Sequence, residues 1–358
     1  ILAIHYTLGA TDVHFENLIA CADTPIVVDT ETIIQRPPPR PADEDWAYWN
    51  WHHIMSRHAT VLGVGLLPDL AVTPEGEVYD LSGAGSVGSQ ATPFQQPQFD
   101  GFDDGSPGIS YRPATLEAKE NMPVLDGAQK AVVDHGPAFL RGFENGYRAL
   151  LRGRSALMAD DGPLARLARV GMRWVARPTV EYALTLRESF HPTCMRDGYE
   201  RDVCFAKLLD SVRAAPGLRK LVPFEVRDLW QADIPYFKSD GNGRVLLDAF
   251  GKEVDAAYFD TDQPAFVRER MARLSPEDLS RQKAIIAGAI GARQTIGGPE
   301  QPSGTIEGER RDPQRSDIVD LLAAVERDLT ESTLVMDGKP TWFAPVQRGM
   351  MNYSYDAI

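Results

Sequence analysis

Thr11-Asp12-Val13-His14-Phe15-Glu16-Asn17, followed by Val28-Asp29-Thr30-Glu31-Thr32, holds the densest polar chemistry in the chain. Carboxylates, one imidazole and one amide crowd into these two stretches. Between them run Leu18-Ile19-Ala20 and Pro25-Ile26-Val27-Val28, two short apolar segments separated at Asp23-Thr24. That spacing predicts a small hairpin with Asp29 at the end of its second strand. Upstream, Ile1 to Leu8 reads as the buried end of a helix, and Gly9 to Asn17 as a polar loop.

Asp12 and Asn17 stand five positions apart. A kinase catalytic loop uses this spacing to place a base-like aspartate and a metal-binding asparagine, and a second metal-binding aspartate follows on a later strand. Phosphoryl transfer asks the protein for hard oxygen ligands to magnesium and for a group that orients the attacking hydroxyl. Asp12, Asn17 and Asp29 supply that set. A plain polar turn accounts for the first motif about as well, since few positions are fixed. The second acidic motif, at the end of an apolar strand, favours the chemical reading.

At these residues the chain resembles a known family. Asp-Val-His-Phe-Glu-Asn-Leu-Ile from Asp12, then Pro-Ile-Val-Val-Asp-Thr-Glu-Thr from Pro25, is similar to the paired signature of the class II lanthipeptide synthetase (LanM) dehydratase domain. Further matches follow in the family's order: Gly65-Leu66-Leu67-Pro68, Asp80-Leu81-Ser82, Gly142-Phe143 with Tyr147, and Asp233-Ile234-Pro235-Tyr236-Phe237. The resemblance implies an α+β, mostly α-helical fold: a kinase-like (lipid-kinase-like) catalytic C-lobe with additional helical dehydratase elements. It implies ATP and Mg2+ as cofactors, Asp12 and His14 acting in phosphorylation, and Asn17 and Asp29 as magnesium ligands. Glu31 falls at the family's second acidic position and is expected at the bound cofactor. The implied reaction is ATP-dependent dehydration of serine and threonine in a precursor peptide, by phosphorylation and then loss of phosphate.

Farther along, Arg141 to Arg177 holds eight arginines, no lysine and three acids, a local excess of +5 in a chain whose net charge is -14. A solvated helix face accounts for such composition. A phosphate-binding surface accounts for it too, because guanidinium groups bind phosphate bidentately. Met172-Arg173-Trp174-Val175-Ala176-Arg177-Pro178-Thr179 reads as a strand that sets Arg173, Val175 and Arg177 on one face. It resembles the LanM segment whose arginine and threonine assist phosphate elimination. By position these are Arg173 and Thr179, with Arg177 expected to assist.

The rest of the chain frames the site. Pro37-Pro38-Pro39-Arg40-Pro41 cannot be helix interior, and Gly83 to Pro113 reads as a long loop. Phe139, Phe143, Tyr147 and Leu150 form a helical stripe. Ser275-Pro276-Glu277-Asp278 reads as a capped helix start. Asp240-Gly241-Asn242-Gly243 reads as a hairpin turn. Residues 1–294 are expected to form the catalytic region, with a kinase-like core over 1–150 and the elimination segment around 165–240. Residues 295–313 read as a linker and 314–358 as a helical segment leading toward a cyclase domain.

The chain opens at Ile1 inside an apolar stretch, so it is expected to be a fragment without the N-terminal lobe that carries the family's ATP-contacting lysine. The acidic balance argues against nucleic acid as a partner, and no apolar run approaches the roughly 20 residues that span a bilayer. Cys21, Cys194 and Cys204 form no CxxC pair, which points to a reducing cytoplasm. Adjacent His52 and His53, with His58, diverge around a helix and make a poor metal site, and His191-Pro-Thr-Cys194 reads as a helix boundary. Two rival readings stand beside the dehydratase: another kinase-like phosphotransferase, and a peptide-binding scaffold without catalysis.

Overall fold

A computed structural model of the chain describes residues 1–41, 51–297, 323 and 334–348, apart from 23, 52–53, 73–77, 87–88, 102–104, 106–107, 118–120, 214, 337–338 and 342–345. The fold is α+β. The apolar N-terminus forms the helix Leu2–Leu8, which Gly9 ends in the left-handed region at φ 75°. The following hairpin pairs Leu18–Cys21 with Thr24–Val27, Leu18 facing Val27.

The main core gathers around that start. Phe143 and Tyr147 of the helix Gly136–Leu157 are buried with Tyr6, Val61, Leu67 and Ile286, while Phe139 and Leu150 pack at the edge. Ser275 caps the helix Pro276–Gly297 through a 3.1 Å bond from the Asp278 amide. The Asp278 carboxylate then accepts the hydroxyls of Tyr147 at 2.6 Å and Tyr6 at 2.9 Å. A half-buried carboxylate with two hydroxyl donors ties three helices together, because leaving the buried hydroxyls unmatched is unfavourable.

A second core sits on a four-stranded antiparallel sheet whose spatial order is Glu253–Asp255, Leu246–Asp248, Phe237–Ser239, Arg173–Trp174. Trp174, Phe237, Leu246, Tyr258 and Phe259 are buried there, with the Trp174 ring edge-on to Tyr258 at 5.0 Å. The turn at Asp240–Gly243 is as expected: Gly241 has φ 78° and the Asp240 carboxylate accepts the Gly243 amide at 2.8 Å.

The segment 31–36 joins the two cores. The Arg173 amide donates to the Glu31 carbonyl at 3.1 Å and Gln35 to Gly9 at 3.1 Å. The buried Arg36 guanidinium donates to the carbonyls of Gly243 at 2.7 Å and Thr261 at 2.9 Å, and lies 3.7 Å from the centre of the Phe259 ring. The chemistry-bearing residues lie along this seam.

Three expectations are corrected. The stretch from Gly83 to Pro113 is not a loop, since Ser89–Asp100 and Gly108–Glu117 pair as a long antiparallel hairpin. The strand at Met172–Thr179 is only Arg173–Trp174, and Thr179 already begins the helix Thr179–Ser189. Of the segment expected to be helical at 314–358, Leu334–Met336 and Lys339–Thr341 pair with each other and Val346–Arg348 pairs in parallel with Leu70–Val72. Of the linker expected at 295–313, residues 295–297 still belong to the helix Pro276–Gly297; the rest of it and the apolar stripe at Ile318 to Leu329, Ala323 excepted, lie outside the described residues, as do His52 and His53. Among the described residues no helix is long and apolar enough to cross a membrane.

Candidate functional site

The loop holding Asp12, His14 and Asn17 is clamped by backbone. Val13 donates to Val64 at 3.0 Å and Phe15 to Leu81 at 3.1 Å, and His14 bridges to Ser82. Val13 and Phe15 are buried at 3% exposure each while Asp12 and Glu16 face solvent, so the apolar residues anchor the loop and the acids project outward. Two glycines permit the clamp. A Cβ at Gly65, whose φ is 81°, would stand 3.3 Å from the Val13 nitrogen, and one at Gly83 would stand 2.8 Å from the Val13 carbonyl. The motifs Gly65–Pro68 and Asp80–Ser82, which the sequence could only match by order, are therefore the frame of this loop.

Within the loop, His14 Nδ1 lies 3.2 Å from the Asp12 carboxylate and 3.0 Å from the Asp12 carbonyl, and Nε2 lies 3.4 Å from Glu16. Burial opposes a charged ring, but the bonds to Asp12 and its charge, aided by Glu16, outweigh it and raise the His14 pKa to about 9. At neutral pH the ring is an imidazolium that holds Asp12. The Asn17 amide nitrogen donates to the Asp12 carbonyl at 2.9 Å and lies 3.2 Å from His14 Nδ1. That second contact is a hydrogen bond only when the ring is neutral, since a protonated Nδ1 accepts nothing.

The hairpin brings Asp29 back beside Asn17. Val28 donates to the Asn17 carbonyl at 3.0 Å, so Asp29 is one residue past the partner of Asn17. Asp29 is exposed and held at φ 56°, a left-handed conformation that aspartate tolerates better than most residues. With its nitrogen turned to Asp12, Asn17 keeps its amide oxygen as the remaining ligand atom. That oxygen and the Asp29 carboxylate are the hard donors magnesium takes, usually from one or two carboxylates with phosphate oxygens and waters completing the shell. Among the described residues no group of three or more His, Cys, Asp or Glu side chains gathers as an all-protein metal cage. The donor chemistry fits a magnesium ion that takes its other ligands from outside the protein.

The structure also brings together the two distant motifs. Arg173 Nη1 forms an ion pair with Glu31, and its Nη2 donates to the Thr179 hydroxyl at 3.1 Å. Glu31, expected at the cofactor, is thus the partner of the arginine expected in elimination. Two of the five guanidinium donors are used by side chains, leaving the others for an anion. Thr179 opens its helix, where unpaired amides add positive potential.

A residue given no role from sequence completes the cluster. Tyr236 points its hydroxyl at Glu31 across 3.5 Å, and the Arg173 guanidinium lies 5.3 Å from the centre of its ring. Burial, then the charge of Glu31 and more weakly of Asp29, raises the Tyr236 pKa and keeps the phenol protonated. The sequence signal was the motif Asp233–Phe237, which showed position but no partner.

Arg177 is a correction. It does not share a face with Arg173: it is 3% exposed, its Nε donates to Glu225 at 2.7 Å, and it also bonds Glu181, Ser211 and the Leu208 carbonyl. With the strand ended at Trp174, alternation no longer governs it, and it holds helices together.

The chain is 21% identical over 304 residues to the lacticin 481/lactococcin biosynthesis protein LcnDR2 of Lactococcus lactis subsp. lactis, a match covering 83% of this chain. The chain spans about 31% of that relative's length. Residues 1–240 match the family described as Domain of unknown function (DUF4135), and since this is well over half of the chain, the chain belongs to that family.

Proposed function

We propose that this chain is the dehydratase region of a class II lanthipeptide synthetase, which phosphorylates serine and threonine of a precursor peptide and then eliminates phosphate. The observation that carries the reading is the joining of Glu31, two residues beyond Asp29, to Arg173 and Thr179 in one cluster. A guanidinium with donors to spare beside the metal ligands suits a step in which phosphate departs. The similarity to a lacticin biosynthesis protein supports a peptide substrate.

In this reading Asp12 takes the proton of the attacking side-chain hydroxyl. Protonated His14 fixes the Asp12 carboxylate and places positive charge beside the transferred phosphoryl group. Asn17 and Asp29 would hold magnesium, and bound MgATP would supply the phosphoryl group. In the second half-reaction the Cα–H bond breaks toward a base, the Cβ–O bond breaks toward phosphate, and a Cα=Cβ bond forms. The free donors of Arg173, with the Thr179 hydroxyl, take up charge on the departing phosphate, and Tyr236 keeps Arg173 in place.

The test uses the natural protein carrying this chain, a serine- and threonine-containing precursor peptide, MgATP and mass spectrometry. Loss of water that requires ATP supports the proposal. Asp12→Asn is expected to return unmodified peptide. ATP-independent water loss, or full activity in Asp12→Asn, would overturn it.

A further inference from the structure

Behind the strand Arg173–Trp174 lies a cavity of about 260 Å³. Its walls are mostly apolar, with Pro38, Pro39, Trp51, Ile54, Trp174 and Leu218 prominent among them. The indole nitrogens of both tryptophans are already satisfied, Trp51 donating to Pro38 at 3.1 Å and Trp174 to Arg36 at 3.0 Å. Their rings are therefore available as walls.

Two polar residues in the lining are unusual. Gln35 and Arg36 are 7% and 2% exposed, and Gln35 Oε1 and Arg36 Nη2 are buried with no hydrogen-bond partner among the described residues. Their other polar atoms are occupied, Gln35 Nε2 by the Val175 carbonyl at 3.3 Å and Arg36 Nη1 by two carbonyls. Buried polar groups are nearly always paired. Gln35 bonds the Val175 backbone of the cavity wall, so its acceptor is left at an apolar chamber, whereas the Arg36 guanidinium is turned to Gly243, Thr261 and Phe259 outside it.

The cavity adjoins the chemistry. Its lining residues Thr11, Trp174 and Pro178 are the chain neighbours of Asp12, Arg173 and Thr179, and neighbouring Cα atoms are about 3.8 Å apart. Strand alternation sends Trp174 away from Arg173, so the approach from the site is at the exposed Pro178. A cavity of about 150 Å³ holds benzene, so this one has room for a phenyl ring and the atoms beyond it.

We propose that the cavity is a subsite for a bulky apolar side chain of the peptide, on a residue flanking the serine or threonine that is modified. This rests on the reading of the chain as a peptide dehydratase. The adjoining peptide unit carries an N–H, which matches the free acceptor Gln35 Oε1.

The test is ligand-observed NMR on the natural protein carrying this chain, without nucleotide, with N-acetylphenylalaninamide and N-acetylglycinamide as probes. The phenylalanine probe is expected to bind saturably with a dissociation constant on the order of 1 mM, and the glycine probe about tenfold or more weaker. Gly217→Leu should abolish binding. Gly217 lines the cavity, and a Cβ there meets nothing closer than Pro39 at 3.5 Å and Tyr258 at 3.7 Å, so the backbone accepts a side chain. Gln35→Met should weaken binding several-fold, and it decides the matter if Gly217→Leu lowers the melting temperature. No saturable binding by the wild type, or binding unchanged in a folded cavity variant, overturns the subsite. Since no turnover is read, that failure leaves the dehydratase proposal to its own mass-spectrometric test.

Discussion

Arg173 and Arg177 lie four residues apart, and the structure gives them opposite expected phenotypes. The Arg177 side chain is 1% exposed and its partner Glu225 is fully buried. Replacing Arg177 with alanine leaves the Glu225 carboxylate with the Tyr182 hydroxyl, 2.6 Å away, as its remaining side-chain partner among the described residues. Breaking a buried pair from one side costs about 3–5 kcal/mol, a large share of a typical domain stability of about 5–15 kcal/mol. The Arg173–Glu31 pair is partly open, with side chains 18% and 33% exposed, and its loss should cost about 1 kcal/mol or less. Urea unfolding followed by tryptophan fluorescence should show a large drop in midpoint for Arg177→Ala and a small one for Arg173→Ala. Arg177→Lys should fall between, because an ammonium cannot reproduce the guanidinium fork. If Arg177→Ala unfolded like the wild type yet stopped elimination alone, the assignment of the two arginines would be wrong.

Three further outcomes follow from particular contacts. Burial, then the charges of Arg270 and Arg57, lower the His58 pKa to about 4; the folded state disfavours its charged form, so this contribution is present above the unfolded pKa of about 6.5 and is lost as pH falls toward 4. The loss amounts to about 3 kcal/mol at most, and His58→Leu should flatten the fall in urea midpoint between those pH values. Gly83→Ala drives a methyl group onto the Val13 carbonyl, 2.8 Å from the ideal Cβ, and should cost about 1–3 kcal/mol and slow phosphorylation, while Gly142→Ala, with open space around it, should be neutral or stabilising. Tyr236→Phe keeps the ring near Arg173 and should retain most elimination activity, whereas Tyr236→Ala should lose about tenfold or more; equal rates in single-turnover assays of both variants and the wild type would remove Tyr236 from the site.

How much of this was legible in the sequence depends on how far each contact reaches along the chain. The helix Leu2–Leu8, the first hairpin, the Phe143–Tyr147 stripe and the Ser275 cap are local patterns, and each stands where periodicity and capping chemistry put it. The Ser89–Glu117 hairpin was hidden by Pro93, Pro97 and Pro113, which read as loop. In a two-stranded sheet both strands are edges, so a missing N–H can face outward, and the register break between Ala91 and Gln95 spans Pro93. Arg177 misled because a period of two assumes that the strand continues, and its partner Glu225 lies 48 residues on. The meeting of Glu31 with Tyr236 spans 205 residues and leaves no periodic trace. Motif order located these residues, but only the fold joined them.

The central claim is that one site carries two half-reactions divided between Asp12 and Arg173. The most direct measurement is the mass of the precursor peptide after incubation with MgATP and the Arg173→Ala form of the natural protein. Arg173 meets a charge that arises only as phosphate departs, and removing one such donor typically slows the step by about 10²–10³. The peptide is therefore expected to carry added phosphate where the wild type leaves it short of water, with Thr179→Ala behaving alike. Unmodified peptide from Arg173→Ala would contradict the account, because Arg173 would then serve binding or phosphorylation.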